Sequence, residues 1–225
     1  SVNSARTAYA CTGDVLVERV ELVGFGASIG SVGPTDDRAC VDGVTMRDVA
    51  MPGTGKGIYV KSNGDDCRGD ESSQISNLLF ENFTISRPWW FAVWIGPQQQ
   101  HEPHTDLGLD CALAYPLGGT RCPTQACVDF ENIVLRDVRV DAPYLSPGAL
   151  LGNASNPMRG VVFDRVVVRG GGGRFPWREA AYPWRGTYQS ECVGGVCVEC
   201  DPVPPGFEVL SRAEYDARRG ARLTP

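Results

Sequence analysis

The stretch Gly64-Asp65-Asp66-Cys67 contains a pair of adjacent aspartates, and Asp36-Asp37 is a second such pair. Two carboxyl groups that flank a glycosidic bond can act as general acid and general base, one protonating the leaving oxygen while the other activates water. Whether either pair can do so depends on the secondary structure that positions it. That structure must therefore be read first.

An internal repeat indicates what this structure is. In each copy the first, third, sixth and eighth positions are apolar, and the copies are VLVERVEL from Val15, VTMRDVAM from Val44, LLFENFTI from Leu78, IVLRDVRV from Ile133 and VVFDRVVV from Val161. A plain strand would alternate without interruption, so the step from the third to the sixth position predicts a corner between two inward-facing strands. Asn and Asp tolerate the left-handed backbone that such corners often need. The corner should be the fifth position, which holds Arg19, Asp48, Asn82, Asp137 and Arg165.

Four of the repeats are followed by a further short apolar segment, so each coil has three strand segments. These segments are ASIGSV at Ala27, GIYVKS at Gly57, WFAVWIG at Trp90 and GALLGN at Gly148. The repeats start 29, 34, 55 and 28 residues apart. Coils of this length cannot bury their apolar faces alone, and stacking them gives a parallel β-solenoid. An antiparallel sandwich is the alternative, and the repeated corner argues against it.

We therefore predict an all-β fold with solenoid coils over residues 1–170 and an irregular, Cys- and Pro-rich tail over 171–225. The step of 55 residues marks an insertion at 97–126, which either decorates the functional face or forms a disulfide-pinned surface flap. Within it, His101 and His104 either reach the rim of a cleft or lie on the surface. The pattern Ser211-x-x-Glu214 resembles a capping box and predicts a short helix over 211–219 that covers an open end of the solenoid.

Composition and charge exclude several classes of partner. The formal net charge is −6, Lys56 and Lys61 are the only lysines, and no basic stripe is present, so nucleic acid is not expected as a partner. No apolar run approaches the length of a membrane span. The cluster Cys192, Cys197 and Cys200 lacks the fourth ligand of a structural zinc site, so we expect no metal or cofactor. We expect a monomer.

Cysteines and sequons favour an extracellular protein. The chain has nine cysteines, and Asn82-Phe-Thr84 and Asn153-Ala-Ser155 are acceptor sequences for N-glycosylation. Disulfides are the favoured state of these cysteines, and an odd count leaves one thiol free or its partner missing. We predict a secreted glycoprotein.

The stretch GFGASIGSVG, followed by a repeat and then by GIYVKS, resembles the polygalacturonase family of glycoside hydrolases. The segments WWFAVWIGPQQQ, SPGALLGN and NPMRGVVFDRVVV resemble a eukaryotic branch of that family, so the likeness runs from about Asp14 to Gly170. It implies a right-handed parallel β-helix that cuts chains of galacturonic acid with inversion. The family's catalytic aspartates lie on two coils before a Gly-His-Gly motif. By this comparison they would lie upstream of Ser1, so the chain is expected to be a C-terminal part, truncated on its N-terminal side, and inactive by itself.

Two matching positions depart from the family pattern. Phe25 stands in place of the histidine of Gly-His-Gly, and Tyr59 stands in place of the arginine of Arg-Ile-Lys, which leaves Lys61 as the cation. A phenyl ring cannot hydrogen-bond a carboxylate, and a guanidinium suits a carboxylate better than a phenol does. We predict substrate contacts at Phe25, Tyr59, Lys61 and Gln98, with sugar rings stacking on Phe25 or Tyr59.

The three tryptophans Trp89, Trp90 and Trp94 either offer flat faces to sugar rings or pack in the core. Core packing is favoured for at least one of them. Strand alternation predicts that Trp90 and Trp94 point one way and that Phe91 and Val93 point the other.

The resemblance also bears on the paired aspartates. The family's pair heads an apolar strand, whereas Cys67 is followed by RGDESS, so Asp65 and Asp66 are interpreted as a solvated turn, and Asp36 and Asp37 likewise. The favoured function is that of a polygalacturonase-like glycosidase acting on pectic or related cell-wall polysaccharide. The alternative is a non-catalytic polysaccharide-binding β-helix. A pectate lyase is disfavoured, because it would need a calcium-binding acidic cluster, and none is placed on one strand.

Overall fold

The computed structural model describes residues 11–33, 39–63, 67, 73–100, 111–115, 120–124, 126–170, 193–204 and 206–221. Over these ranges the chain forms β-strands and one helix. Their bounds are β1 Thr12–Glu21, β2 Ala27–Val32, β3 Cys40–Pro52, β4 Lys56–Ser62, β5 Ser73–Ser86, β6 Phe91–Pro97, β7 Gln99–Gln100, β8 Cys111–Ala112, β9 Val128–Asp141, β10 Ser146–Leu150, β11 Met158–Arg169, β12 Val193–Val198, β13 Glu208–Leu210 and α1 Arg212–Ala221.

The strands form two parallel sheets that coil around one core. The larger sheet has the order β1-β3-β5-β9-β11-β12-β13, and the smaller has the order β10-β6-β4-β2. Equivalent repeat positions are paired in register, with Val15 opposite Val44, Val44 opposite Leu78, and Leu78 opposite Ile133. The predicted parallel β-solenoid is confirmed, and so are the third segments of four coils, which are β2, β4, β6 and β10.

The predicted corners are confirmed, and the structure adds two more rows of them. All five corner residues have φ between 53° and 56° in the row Arg19, Asp48, Asn82, Asp137 and Arg165. Five positions before each corner lies another left-handed residue, in the row Asp14, Gly43, Asn77, Asn132 and Gly160. Five positions after it lies a third, in the row Gly24, Gly53, Arg87, Ala142 and Gly170. Each long strand is therefore bent at fixed points, and the bends stack from coil to coil.

The inward positions of the repeat form the core between the sheets. In the three middle repeats all are nearly inaccessible to solvent: Val44, Met46, Val49, Met51, Leu78, Phe80, Phe83, Ile85, Ile133, Leu135, Val138 and Val140. The equivalent residues of β1 are only partly buried, namely Val15, Val17, Val20 and Leu22. The core is thus complete in the middle of the stack and open beside β1, as far as the described residues show.

A row of alternating charges runs beside the corners. Arg47 Nε donates to Glu18 Oε2 at 2.8 Å, and Arg136 contacts both Glu81 and Asp164, at 3.3 and 3.2 Å. The row continues into the helix, because Arg212 Nη1 donates to Asp164 Oδ2 at 3.2 Å. These pairs connect neighbouring coils and connect α1 to the stack.

The tail differs from the prediction. An irregular segment was expected after Gly170, but β12 and β13 continue the larger sheet in parallel register, and Glu199 repeats the left-handed corner. The repeat was missed there because glycines occupy part of β12, whose sequence is VGGVCV. The helix α1 lies where residues 211–219 were predicted to be helical, and Ser211 and Glu214 exchange the capping hydrogen bonds.

Disulfides join Cys11 to Cys40, Cys67 to Cys127, Cys111 to Cys122 and Cys197 to Cys200. Disulfide bonding was predicted, whereas this pairing was not, and Cys192 lies outside the described residues. No helix in the described ranges has the length and apolar character needed to cross a membrane.

Candidate functional site

Two glycines let β2 lie close against β4. A Cβ on Gly26 would be 2.2 Å from the carbonyl oxygen of Lys56, and a Cβ on Gly30 would be 2.2 Å from that of Lys61. Both residues have positive φ, 72° and 94°. Gly26 and Gly30 of GFGASIGSVG are therefore required by stacking between coils, and this stacking places Phe25 beside the start of β4.

The outer face of the smaller sheet carries an aromatic cluster. Trp94 is fully buried there, with its ring centroid 4.8 Å from that of Phe91 and 6.4 Å from that of Tyr59. Tyr115 of the insertion packs on Trp94 at 6.1 Å. The predicted alternation was wrong for Phe91, which lies with Trp94 in this cluster while Val93 faces the core. Lys56 is paired with Phe91 at the first residues of β4 and β6. At these positions the side chains do not alternate strictly between the two faces of the sheet.

Gln99 fixes part of the insertion to this face. Its Nε2 donates to the carbonyl oxygens of Ala112, Leu113 and Tyr115 at 3.1–3.2 Å. The short strands β7 and β8 pair beside it, and the Cys111–Cys122 disulfide closes the loop. The described part of the insertion is thus linked by a disulfide and lies on the outer face of the sheet, and its place on a functional face stays a prediction.

A groove of about 680 Å³ opens between the insertion and the starts of the strands of the smaller sheet. Its walls include Phe25, Lys56, Trp89, Trp90 and Leu113. Phe25 and Trp89 are 68% and 63% exposed, so both present open ring faces. Trp89 also contacts Tyr144, with 6.0 Å between the ring centroids. Among the described residues, the groove offers flat apolar surfaces and one cation.

That cation is Lys56, which is only 2% exposed. Its Nζ lies 3.8 Å from the centroid of the Tyr59 ring and 5.3 Å from that of Trp94. Burial, with a smaller contribution from the positive charge of Lys61, lowers the pKa of Lys56 to about 7. Thr54 Oγ1 donates to the carbonyl oxygen of Lys56 at 2.6 Å, which holds the backbone of this residue in place.

Of the predicted contact residues, Phe25 lines the groove, whereas Tyr59 lies beneath it. Tyr59 is 5% exposed, and its hydroxyl accepts a hydrogen bond from the backbone N–H of Gln99 at 2.9 Å. Its ring is covered by lysine and tryptophan side chains, so the predicted stacking of a sugar on Tyr59 does not fit this structure. Burial raises the pKa of Tyr59 to about 12, although the Gln99 hydrogen bond opposes the shift.

Lys61 and Gln98 lie toward the other end of the same strands. Lys61 is half-buried, its Nζ is 5.0 Å from the Tyr59 centroid, and burial lowers its pKa. Gln98 is half-buried, and its backbone N–H donates to the carbonyl oxygen of Ser62 at 2.8 Å. Substrate contact by either residue stays a prediction.

Several predicted residues lie outside the described ranges: Asp36, Asp37, Asp65, Asp66, His101 and His104. Two residues of the site were not foreseen, namely Lys56 and Gln99. Lys56 had a signal, since it is one of only two lysines and begins the segment that carries Tyr59 and Lys61. For Gln99 the sequence offered no signal except its position in the run Gln98-Gln99-Gln100.

The arrangement can bind a ring-shaped ligand through its aromatic faces and attract negative charge through Lys56. Among the described residues, none that lines the groove is a carboxylate. The groove therefore lacks, over that part of the chain, the acid and base that glycoside hydrolysis requires.

No solved structure matches the chain. A family model does match part of it, and the matched part contains Gly24-Phe25-Gly26, the strand β2 and the Tyr59–Lys61 segment. Residues 8–102 match the model of glycosyl hydrolases family 28.

Proposed function

We propose that this chain is the C-terminal part of a secreted, polygalacturonase-like glycosidase that hydrolyses pectic or related cell-wall polysaccharide by an inverting acid/base mechanism. The observation that carries the proposal is the family match over residues 8–102, which includes the glycine motif that stacks β2 on β4. The catalytic aspartates are proposed to lie in coils upstream of Ser1.

Two features of the described residues support an upstream location. No carboxylate of the described ranges lines the groove, although a hydrolase of this kind needs two. In addition, the inward residues of β1 are only partly buried, so a further coil could stack on β1 and complete the core there.

Sequencing the transcript upstream of the Ser1 codon tests this proposal. We expect one or two further coils of the repeat that carry Asn-Thr-Asp and Gly-Asp-Asp motifs. In parallel, residues 1–225 alone should release no reducing ends from polygalacturonate, whereas the extended protein should do so and should lose the activity when an upstream aspartate is changed to asparagine. Robust turnover by residues 1–225 would contradict the proposal.

A non-catalytic polysaccharide-binding β-helix is the second candidate. It is favoured by Phe25, which replaces the expected histidine and exposes 68% of its surface at the groove. In this case the extended protein would bind polysaccharide without cutting it. Hydrolysis of any acidic glycan that depends on an upstream aspartate would exclude this candidate.

A further inference from the structure

Burial of the Lys56 ammonium costs free energy, and no ion pair among the described residues offsets this cost. Lysine is rarely buried unless it is paired, since burial disfavours its charged form. Yet among the described residues no carboxylate forms a salt bridge with Lys56, and its Nζ lies on the faces of Tyr59 and Trp94 instead. Aromatic faces attract a cation but leave its charge uncompensated. An anion that enters the groove would supply the missing partner.

The groove around Lys56 is shaped for one kind of anion. Phe25 and Trp89 offer exposed ring faces, which suit the apolar C–H face of a sugar ring. The walls near Leu113 are apolar, so a negatively charged group that entered would be drawn to Lys56, the one cation among the described lining residues. A sugar with an acidic substituent meets both requirements, whereas a neutral sugar uses only the aromatic surfaces.

The position of Lys56 also involves Tyr59. Lys56, three residues earlier on the same strand, lies 3.8 Å from the Tyr59 ring. The ring of Tyr59 thus supports the ammonium of Lys56 from below.

We propose that Lys56, held on Tyr59 and Trp94, is the specificity-determining residue of this groove and binds the negative charge of an acidic sugar residue that stacks on Phe25 or Trp89. This inference rests on the proposed function, because it assumes a polysaccharide ligand. It names the residue that selects acidic over neutral glycan.

Binding by residues 1–225 tests the proposal. Isothermal titration would compare a galacturonic acid trimer, a sulfated galactose trimer and neutral galactotriose on the wild type, on Lys56→Met and on Arg169→Met. Methionine keeps most of the length of lysine in an apolar setting, so Lys56→Met should fold. Arg169 is an exposed cation at the end of β11 in the other sheet and serves as the matched control for loss of one charge.

We expect Lys56→Met to weaken binding of an acidic trimer by about tenfold or more, the usual effect of losing a charge-assisted hydrogen bond, and to leave galactotriose binding unchanged. Arg169→Met should change neither. The two acidic trimers show whether the site prefers a carboxylate or a sulfate ester. An acidic preference that persists in Lys56→Met would overturn the role of Lys56 and leave the proposed function intact. Failure of every trimer to bind the wild type would count against the proposed function itself.

A spectroscopic readout does not depend on any variant. With ¹³C-labelled lysine the side-chain Cε signals come only from Lys56 and Lys61, since the chain has no other lysine. We expect the Lys56 signal, shifted upfield by the Tyr59 and Trp94 rings, to move on addition of an acidic trimer and to stay in place with galactotriose. A Lys56 signal that ignores a bound acidic trimer would overturn the proposal.

Discussion

Lys56 sets the charge of the groove, and its burial also makes the stability of the protein depend on pH. Its pKa is about 7 in the folded chain, where burial and Lys61 disfavour the charged form and the faces of Tyr59 and Trp94 surround it. In the unfolded chain a lysine titrates near a pH of about 10.4. Between these values the unfolded state binds more protons, so this residue makes stability rise with pH across that window.

We therefore predict that Lys56→Met raises the free energy of unfolding by about 2–4 kcal/mol at a pH of about 6 and by less at a pH of about 9. Burying methionine carries no penalty for a charged form, which explains the direction. Urea unfolding of oxidised protein at both pH values measures the difference. The variant Arg169→Met is the control and should shift neither midpoint by much. A stabilisation of equal size at both pH values would show that Lys56 does not titrate in this window.

At the scale of the elements, the contact between β2 and β4 depends on Gly26. Gly26 and Gly53 both have positive φ, but only Gly26 faces backbone atoms, whereas a Cβ on Gly53 would meet nothing within 4 Å. We predict that Gly53→Ala costs about 1 kcal/mol from backbone strain. Gly26→Ala should cost about 2–4 kcal/mol, because the strain is joined by a clash with Lys56 and Gly57. Urea unfolding of the two variants checks this, and equal costs would show that the close approach is not required.

The contact between α1 and the coils depends on Asp164. This carboxylate is 1% exposed and receives hydrogen bonds from Arg136, Arg165 and Arg212. Burial alone would raise the pKa of Asp164, but the hydrogen bonds and positive charges, led by Arg212, hold the pKa below its usual value.

We predict that Asp164→Asn lowers the free energy of unfolding by about 3 kcal/mol, since arginines would then surround a neutral amide. The matched control is Glu208→Gln, which removes an exposed ion pair with Arg218 and should cost far less than Asp164→Asn. Chemical denaturation measures both. If both variants lost the same free energy of unfolding, burial of Asp164 would not make its ion pairs more stabilising than the exposed pair of Glu208 and Arg218.

For the whole molecule, β1 is the edge of the larger sheet among the described strands. Its outward residue Leu16 is 55% exposed, and its inward residues are only partly buried. An unprotected edge strand with apolar side chains promotes pairing between chains.

We predict that residues 1–225 associate as their concentration rises and that Leu16→Lys weakens this association, because a charge on an edge strand opposes pairing. Static light scattering over a concentration series measures the average molar mass and therefore the association. Thr45→Lys, at the paired position on the interior strand β3, is the control and should have little effect. A concentration-independent monomer in the wild type would contradict the expectation.

The solenoid, its coil spacing and its first row of corners could be predicted from the amino-acid sequence, because these follow from local periodicity. Side chains alternate along a strand, so an interrupted pattern repeated from Val15 to Val161 specifies both the strands and the bends. Disulfide bonding and the helix after Ser211 were also predictable, since cysteine content and capping residues act locally. The coil at β12 escaped prediction, because glycines interrupt its apolar pattern.

The set of residues that forms the groove could not be predicted from the sequence, because packing between coils selects it. Phe25, Lys56, Trp89 and Leu113 come from different coils and from the insertion, and neighbouring coils bring them together. Burial of Tyr59 and the low pKa of Lys56 arise from the insertion held by Gln99 and from the stacked strand β6. Exposure and desolvation are properties of the packed assembly of coils, and no local pattern in the chain contains them.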